Sequence, residues 1–256
     1  MLERFRQAKA EEIESLRRSK ERGALPEPAP GQRPGFGAHL QPGQGPRIIA
    51  EYKRGSPSRG LINDRVQPEE AAELFAASGA SAISVLTEAS FFHGRMDFLQ
   101  RMSRVGLPLL RKDFILDPLQ VEDTARTPAS ALLLIARFFH QGPDQLAELL
   151  GIASHFGLES VVEIFDATDL EVARQAGALM IQVNNRDLET LEVRLEKSKA
   201  LAPLKRTGET WISASGISTR QEVEGMGRLG FEACLIGTSI MSHADPGKLL
   251  RQLTGR

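Results

Sequence analysis

Short apolar runs alternate with helical stretches along the chain from residue 47 onward. The runs are Arg47 to Lys53, Ala82 to Glu88, Pro108 to Asp113, Ala131 to Arg137, Glu159 to Phe165, Leu179 to Asn185, Thr210 to Gly216 and Ala233 to Ser239. Because they are apolar almost throughout, both faces of each predicted strand should be covered, as in a parallel sheet. This alternation closes most simply as an α/β fold of the (β/α)8 TIM barrel type. A doubly wound open sheet is the competing fold, although no Gly-x-Gly-x-x-Gly follows the first run.

Residues that typically begin helices occur between the runs. The candidate starts are Pro68 with Glu69 and Glu70, Asp117 with Pro118, Pro143 with Asp144, and two capping boxes, Thr168 with Glu171 and Ser218 with Gln221. Each predicts the first turn of a helix on the outside of the barrel.

The first 46 residues differ in pattern from the rest of the chain. Residues 1–22 carry apolar side chains at near-helical spacing among many charges, which predicts an extra N-terminal helix. Residues 23–46 are rich in glycine and proline, so we expect a loop without helix or strand, and a single domain over residues 1–256 whose barrel spans 47–256. The N-terminus shows no signal-peptide pattern, and no run approaches the ~20 apolar residues of a membrane span, so a cytoplasmic location is expected.

Composition narrows the range of partners. The 256 residues carry a net charge of -1, so nothing indicates nucleic acid or a membrane surface, and a small molecule is the expected partner. The single cysteine, Cys234, lies in an apolar run and is interpreted as a core residue of a protein from a reducing compartment. The five histidines never fall at metal-ligand spacing, so no metal site is predicted.

Charged residues stand at the end of the first predicted strand. Glu51 and Lys53 are two apart and therefore leave the same face of the strand. Desolvating a carboxylate and an ammonium is costly unless they meet a ligand or each other. Ser56 and Ser58 follow in a turn-rich loop, which suits a small anionic substrate.

Strand parity also turns Lys112 and Glu163 toward the barrel interior, and Arg111 outward. Two lysines and two glutamates around one cavity would shift one another's proton affinities, as acid–base catalysis requires. Structural ion pairs are the alternative, between Lys112 and a neighbouring acid or between Glu163 and Lys112 or Lys53. Asn184 adds a neutral donor and acceptor, although an Asn at a strand end is often a turn former.

Two glycine loops end the seventh and eighth predicted strands. Ser215 and Gly216 form the first, and Gly237 and Thr238 form the second. Phosphate commonly binds at these two strand ends in barrels, where backbone amides face the anion. The pair of loops therefore predicts a phosphate site.

Motifs along the chain match one known family. They are Glu51-Tyr-Lys-Arg-Gly-Ser-Pro-Ser-Arg-Gly60, Ser84-Val-Leu-Thr-Glu88 with Phe92 and Gly94, Leu110-Arg-Lys-Asp-Phe114, Val162-Glu163, Asn184-Asn-Arg-Asp-Leu188, Ser215-Gly-Ile217 and Ile236-Gly237. In these segments the chain resembles the indole-3-glycerol phosphate synthase family, over essentially its whole length and including the extra N-terminal helix.

The resemblance implies a carbon–carbon lyase of tryptophan biosynthesis that needs no cofactor. Its reaction closes the ring of 1-(2-carboxyphenylamino)-1-deoxyribulose 5-phosphate, with loss of carbon dioxide and water, to give indole-3-glycerol phosphate. Lys112 would be the general acid on the ketose carbonyl, and Glu163 would serve in the dehydration. Lys53 or Lys112 would assist departure of the hydroxyl, and Glu51 and Asn184 would orient these groups. The implied substrate-binding residues are Ser56, Phe92, Phe114, Leu133, Arg186, Leu188, Ser215, Gly216, Gly237 and Thr238.

Two positions depart from the family pattern, in which glutamate normally stands at Ala214 and glycine at Gln182. We hypothesise that Gln182, which shares parity with Asn184, fills the volume and part of the hydrogen-bonding role vacated at Ala214. The alternative functions are another phosphosugar barrel enzyme, similar to phosphoribosylanthranilate isomerase, and a weakened or non-catalytic phosphosugar-binding paralogue. Other enzymes of tryptophan biosynthesis are candidate partners.

Overall fold

The computed structural model describes residues 2–26, 33–41, 43 and 45–256, and a closed parallel barrel forms its centre. The strands are β1 Arg47–Tyr52, β2 Gly55–Ser56, β3 Gly60–Leu61, β4 Ala82–Leu86, β5 Leu109–Lys112, β6 Ala131–Ile135, β7 Glu159–Ile164, β8 Met180–Asn184, β9 Thr210–Ala214 and β10 Ala233–Ile236. β2 and β3 pair as a small hairpin, and the others close in the order β1-β10-β9-β8-β7-β6-β5-β4. The predicted barrel is confirmed, with every predicted strand present and each ending slightly early.

Helices precede the barrel and fill the segments between its strands. They are α1 Leu2–Glu21, α2 Phe36–His39, α3 Pro68–Ala77, α4 Ala89–Phe92, α5 Asp97–Met102, α6 Pro118–Ala125, α7 Pro143–His155, α8 Ala167–Gln175, α9 Glu196–Leu201, α10 Arg220–Arg228, α11 Thr238–Met241 and α12 Pro246–Thr254. Short 3-10 turns cover Ser103–Val105, Ala136–Phe139 and Ala202–Leu204. The helix starts predicted at Pro68, Asp117 and Pro143 are confirmed. Among the helices of the described residues, none combines the length and hydropathy needed to cross a bilayer.

The two predicted capping boxes lie at the wrong residues. Asp166, rather than Thr168, caps α8 by accepting a hydrogen bond from the backbone N–H of Asp169. Thr219, rather than Ser218, is the N-cap of α10. In both segments several neighbouring side chains carry a suitable oxygen, and only the observed backbone path selects one of them.

The predicted loop between residues 23 and 46 contains a helix, so that prediction is wrong at Phe36–His39. The carboxylate of Glu159 on β7 accepts hydrogen bonds from the backbone N–H groups of Phe36 and Gly37. The ring of Phe36 is also fully buried. A distant carboxylate and a buried ring thus stabilise a turn that local composition disfavours. Residues 27–32, 42 and 44 of the predicted loop lie outside the described residues.

The predicted N-terminal helix is confirmed as α1, and it packs beside β5. Phe5 is 2% exposed, and its ring stacks on that of Phe114 with centroids 4.0 Å apart. Lys9 is also buried, with its ammonium 2.5 Å from the carboxylate of Asp113. α1 therefore reaches the strand that carries Lys112.

Candidate active site

A cavity of about 400 Å³ opens at the C-terminal ends of the barrel strands. Small-molecule sites usually have volumes of about 300–1,000 Å³. The cavity is lined by every residue that the sequence analysis assigned to catalysis or substrate binding. These residues are Glu51, Lys53, Ser56, Phe92, Lys112, Phe114, Leu133, Glu163, Asn184, Arg186, Leu188, Ser215, Gly216, Gly237 and Thr238. Their convergence is thus a property of the fold, whereas their roles in catalysis and binding stay predictions.

Glu51 is the centre of the charge cluster in this cavity. Its carboxylate lies 3.4 Å from the ammonium of Lys53 and 4.0 Å from that of Lys112. The hydroxyl of Ser84 donates a hydrogen bond to it at 3.4 Å. Charge-assisted hydrogen bonds are usually about 2.7–2.9 Å long, so these contacts are loose although Glu51 is buried. Both ammonium groups therefore retain donors for a ligand.

Lys53 is the lysine whose proton affinity the site changes most clearly. Its side chain is 12% exposed, and its ammonium lies 5.2 Å above the ring of Phe92. Burial lowers the pKa of Lys53, Lys112 and Arg186 act in the same direction, and Glu51 opposes them. A lysine with a lowered pKa is a stronger acid than a free lysine, which suits general-acid catalysis near neutral pH.

Glu163 faces the cavity from β7, where a neutral side chain holds it. Within the described residues it takes part in no ion pair, so an ion pair with Lys112 or Lys53 is not what holds it. Its carboxylate instead accepts a hydrogen bond from the side-chain amide of Gln182 on β8. With 2% exposure, Glu163 is a buried carboxylate held by a neutral donor.

Asn184 and Arg186 serve the loop after β8 as well as lining the cavity. The side-chain oxygen of Asn184 accepts from the backbone N–H of Arg186 at 3.0 Å, which is the turn-forming role expected of an Asn at a strand end. The guanidinium of Arg186 donates to the carbonyl of Leu191 at 2.9 Å, so it anchors the loop. Burial lowers the pKa of Arg186, and the nearby cation Arg59 acts in the same direction.

The two glycine loops bring bare backbone to the cavity wall. A Cβ atom on Gly237 would lie 2.4 Å from the carboxylate of Glu51, so only glycine fits there. Gly216 has a φ of +85°, and Ser215 before it has a φ of +70°. Residues other than glycine rarely adopt a positive φ, and those that do are frequently found at functional sites. Thr238 begins α11, and the first N–H groups of a helix lack partners inside the helix. Both loops therefore offer backbone donors to an anion.

Phe5 and Arg59 are among the cavity residues that the sequence analysis did not assign to the site. Phe5 forms part of the wall from α1, stacked on Phe114. Its place in the apolar stripe of the N-terminal helix showed that it would be buried, but not against which strand. Arg59 adds a cation to the cavity lining beside Ser58, and its position in the loop after the first strand was the available signal.

The two positions that depart from the family pattern, Gln182 and Ala214, are not direct neighbours in the sheet. Gln182 on β8 pairs with Glu163 on β7 and with Ile212 on β9, whereas Ala214 on β9 pairs with Asn184. Its amide donates to Glu163, so its hydrogen-bonding role is directed toward β7, away from the strand of Ala214. Gln182 is fully buried, and Ala214 lines the cavity. The hypothesis that Gln182 fills the volume left by Ala214 stays a prediction.

Neither a metal cluster nor a reactive thiol is found in the part of the chain that the structure describes. Within it, no group of three or more His, Cys, Asp or Glu side chains is arranged to hold a metal ion. Cys234 is buried on β10, and burial raises the pKa of its thiol to about 12. The thiol is therefore protonated at neutral pH and packs as a core side chain.

Comparisons with a family model and with curated relatives all indicate the same family. A family model described as indole-3-glycerol phosphate synthase matches residues 2–253. The indole-3-glycerol phosphate synthase of Carboxydothermus hydrogenoformans is 40% identical over 208 residues, covering 80% of this chain and 78% of the relative. That of Geobacillus thermodenitrificans is 38% identical over 259 residues, covering 100% of this chain and 97% of the relative. Among solved structures, 3-hexulose-6-phosphate synthase from Salmonella typhimurium has a TM-score of 0.64 at 15% identity, covers 82% of this chain and 97% of its own, and supports the fold alone.

Proposed function

The chain belongs to the indole-3-glycerol phosphate synthase family, and from this premise we propose how its barrel mouth closes an indole ring. The enzyme is a carboxy-lyase that converts 1-(2-carboxyphenylamino)-1-deoxyribulose 5-phosphate to indole-3-glycerol phosphate, with loss of carbon dioxide and water. The observation that carries the assignment of residues is the meeting of Lys53, Lys112 and Glu163 in one cavity beside two glycine loops.

The substrate's phosphate binds at the glycine loops. Backbone amides of Gly216, Gly237 and Thr238, with the hydroxyls of Ser56 and Ser215, supply uncharged donors for it. The aromatic ring of the substrate lies in the apolar part of the cavity, formed by Phe92, Phe114, Leu133 and Leu188. The cation of Arg186 also lines the cavity and offers a charge-assisted contact to the substrate.

Ring closure uses Lys112 as the general acid. The ring carbon that carries the carboxyl group attacks the ketose carbonyl carbon, and Lys112 protonates the carbonyl oxygen as the carbon–carbon bond forms. Carbon dioxide then leaves, and its bonding electrons restore the aromatic ring. Because Glu51 lies 4.0 Å from Lys112, it orients the ammonium without neutralising it in a tight pair.

Dehydration uses Lys53 and Glu163. The hydroxyl leaves as water with a proton from Lys53, and Glu163 takes the proton that the new five-membered ring loses. The lowered pKa of Lys53 supports its use in this step, because it makes Lys53 a stronger acid than a free lysine. Asn184 contributes a neutral donor to the sugar hydroxyls.

An activity assay tests the proposal directly. The purified chain is given the carboxyphenylamino substrate, and indole formation is followed by absorbance and fluorescence. We expect turnover of this substrate and none of phosphoribosylanthranilate. Isomerisation of phosphoribosylanthranilate would favour the alternative barrel enzyme, and binding of the substrate without turnover would indicate a non-catalytic paralogue. Glu163→Gln is the matched control, because it keeps the shape of the side chain but removes the base.

Location and partners belong to the same proposal. The substrate and product are charged phosphate esters, which do not cross membranes unaided, so the enzyme is placed in the cytoplasm with the steps that make and consume them. Other enzymes of tryptophan biosynthesis are its expected partners. Co-purification with them from cells would support this part of the proposal.

A further inference from the structure

Glu163 is contacted by one buried amide that does not itself reach the cavity. The side-chain nitrogen of Gln182 donates a hydrogen bond to Oε2 of Glu163. The two residues are direct partners in the register of β7 and β8. Glu163 lines the cavity, whereas Gln182 is 0% exposed and is not part of its lining. Gln182 therefore supports Glu163 from within the barrel.

The chemistry of the pair fixes the orientation of the amide. An ionised carboxylate can only accept hydrogen bonds, so Gln182 must turn its NH2 group toward Glu163. Its carbonyl oxygen is then buried and meets no donor among the residues that the structure describes. A buried carbonyl without a partner destabilises the fold, so an apolar side chain of equal volume would serve packing better.

Glu163 has few other polar constraints. In the described ranges it forms no ion pair, and the bond from Gln182 is its one hydrogen bond from another side chain. This bond uses Oε2 and leaves Oε1 unused by any described donor. Without Gln182, the terminal torsion of the glutamate would lose the contact that defines it.

We propose that Gln182 is a positioning residue for Glu163, which it holds by one carboxylate oxygen so that the other is presented to the substrate. The inference rests on the proposed role of Glu163 in dehydration. It explains why a polar side chain with only one of its two amide atoms hydrogen-bonded stands in the barrel interior. Gln182 acts through Glu163 and does not touch the substrate.

The test is Gln182→Met, which keeps the length and approximate volume of the side chain but removes the donor. We expect kcat to fall about 10-fold or more, because a hydrogen bond to a charged group is lost. KM should stay close to the wild-type value, since substrate binding is untouched. The melting temperature should hold or rise, because the unsatisfied carbonyl is removed as well. A purely structural role would change the melting temperature and leave kcat unchanged.

Two matched variants accompany this test. Gln182→Asn keeps the amide but is one methylene shorter, so it should also lower kcat; it provides the measurement if Gln182→Met does not fold. Ile181→Val removes one methylene from the opposite face of β8, and it should lower the melting temperature without changing kcat.

A double variant tests whether Gln182 acts through Glu163. In a Glu163→Gln background, Gln182→Met should have no further effect on kcat, because its action passes through Glu163.

The outcomes separate this inference from the proposed function. Unchanged kcat in both Gln182 variants, while Glu163→Gln has a strongly lowered but measurable kcat, would refute the positioning role alone. A loss of kcat that is additive with Glu163→Gln would also refute it, because Gln182 would then act elsewhere. Full activity of Glu163→Gln would remove the role of Glu163 and the inference with it.

Discussion

Strand β5 separates two clusters of buried charge that are paired in very different ways. On its outer side Arg111 lies 3.2 Å from Asp113, the residue that follows the strand and also lines the cavity, and Asp113 lies 2.5 Å from Lys9 of α1. On its inner face Lys112 comes only within 4.0 Å of Glu51. The outer charges satisfy one another, whereas the inner charges are desolvated but loosely paired. Burial of charge alone therefore does not identify a functional site; the completeness of its pairing does.

The outer cluster, formed by Lys9, Glu12, Arg111 and Asp113, connects the N-terminal helix to the barrel. Burial by itself would raise the pKa of Asp113, but Arg111 and Lys9 more than offset this, and its pKa is lowered. Arg111 also donates to the hydroxyl of Thr124 at 2.9 Å. Each buried charge in this cluster has short partners, as a structural role requires.

The inner cluster, formed by Glu51, Lys53, Lys112 and Glu163, is by contrast only loosely paired. Its long contacts leave Lys53 and Lys112 with unused donors, and Glu163 is held by a neutral amide. A substrate that carries a phosphate, a carboxylate and several hydroxyls supplies the missing partners. The inner charges are thus arranged for a ligand, and variants on the two faces of β5 should have separable effects.

The largest effect is expected for Lys112→Ala, on the inner face. Loss of the general acid should lower kcat by about 10²–10⁴-fold. The unfolding free energy should change little, because Lys112 has only a weak contact with Glu51. Steady-state kinetics together with urea unfolding measure both quantities. An enzyme that keeps its activity after this change would show that Lys112 is not the acid.

The next effect is expected for Lys9→Met, on the outer face. It removes one cation from the buried Asp113, and breaking a buried pair on one side typically costs about 3–5 kcal/mol of unfolding free energy. The kcat of the folded enzyme should fall far less than in Lys112→Ala. Lys20→Met is the matched control on the same helix: Lys20 pairs with Glu122 with half of its side chain exposed, so a loss of at most ~1 kcal/mol is expected. Equal losses in the two variants would contradict the contrast between the clusters.

The residues on and next to β5 also show which features of the structure could be predicted from the sequence. Strand parity alone predicted that Lys112 points inward and Arg111 outward, and alternation of strands and helices predicted the barrel that joins the inner residues. The partner of Asp113 could not be predicted, because Lys9 lies more than a hundred residues away on a helix whose docking depends on tertiary packing. The same holds for the capping of α2 by Glu159 and for the support of Glu163 by Gln182. These contacts join distant segments, and local pattern contains no information about their distances.

The smallest effect concerns the pH dependence of the inner cluster. Burial lowers the pKa of Lys53 from the ordinary value of 10.5, with Lys112 and Arg186 acting in the same direction. The ammonium form that dehydration needs is therefore lost as pH rises through this lowered value, so the basic limb of kcat should lie below 10.5. In Lys53→Arg the guanidinium stays protonated beyond pH ~12, and this limb should move upward even if maximal kcat falls. A pH–kcat profile of both enzymes measures the shift, and a limb at the same pH in both would mean that another group supplies the proton.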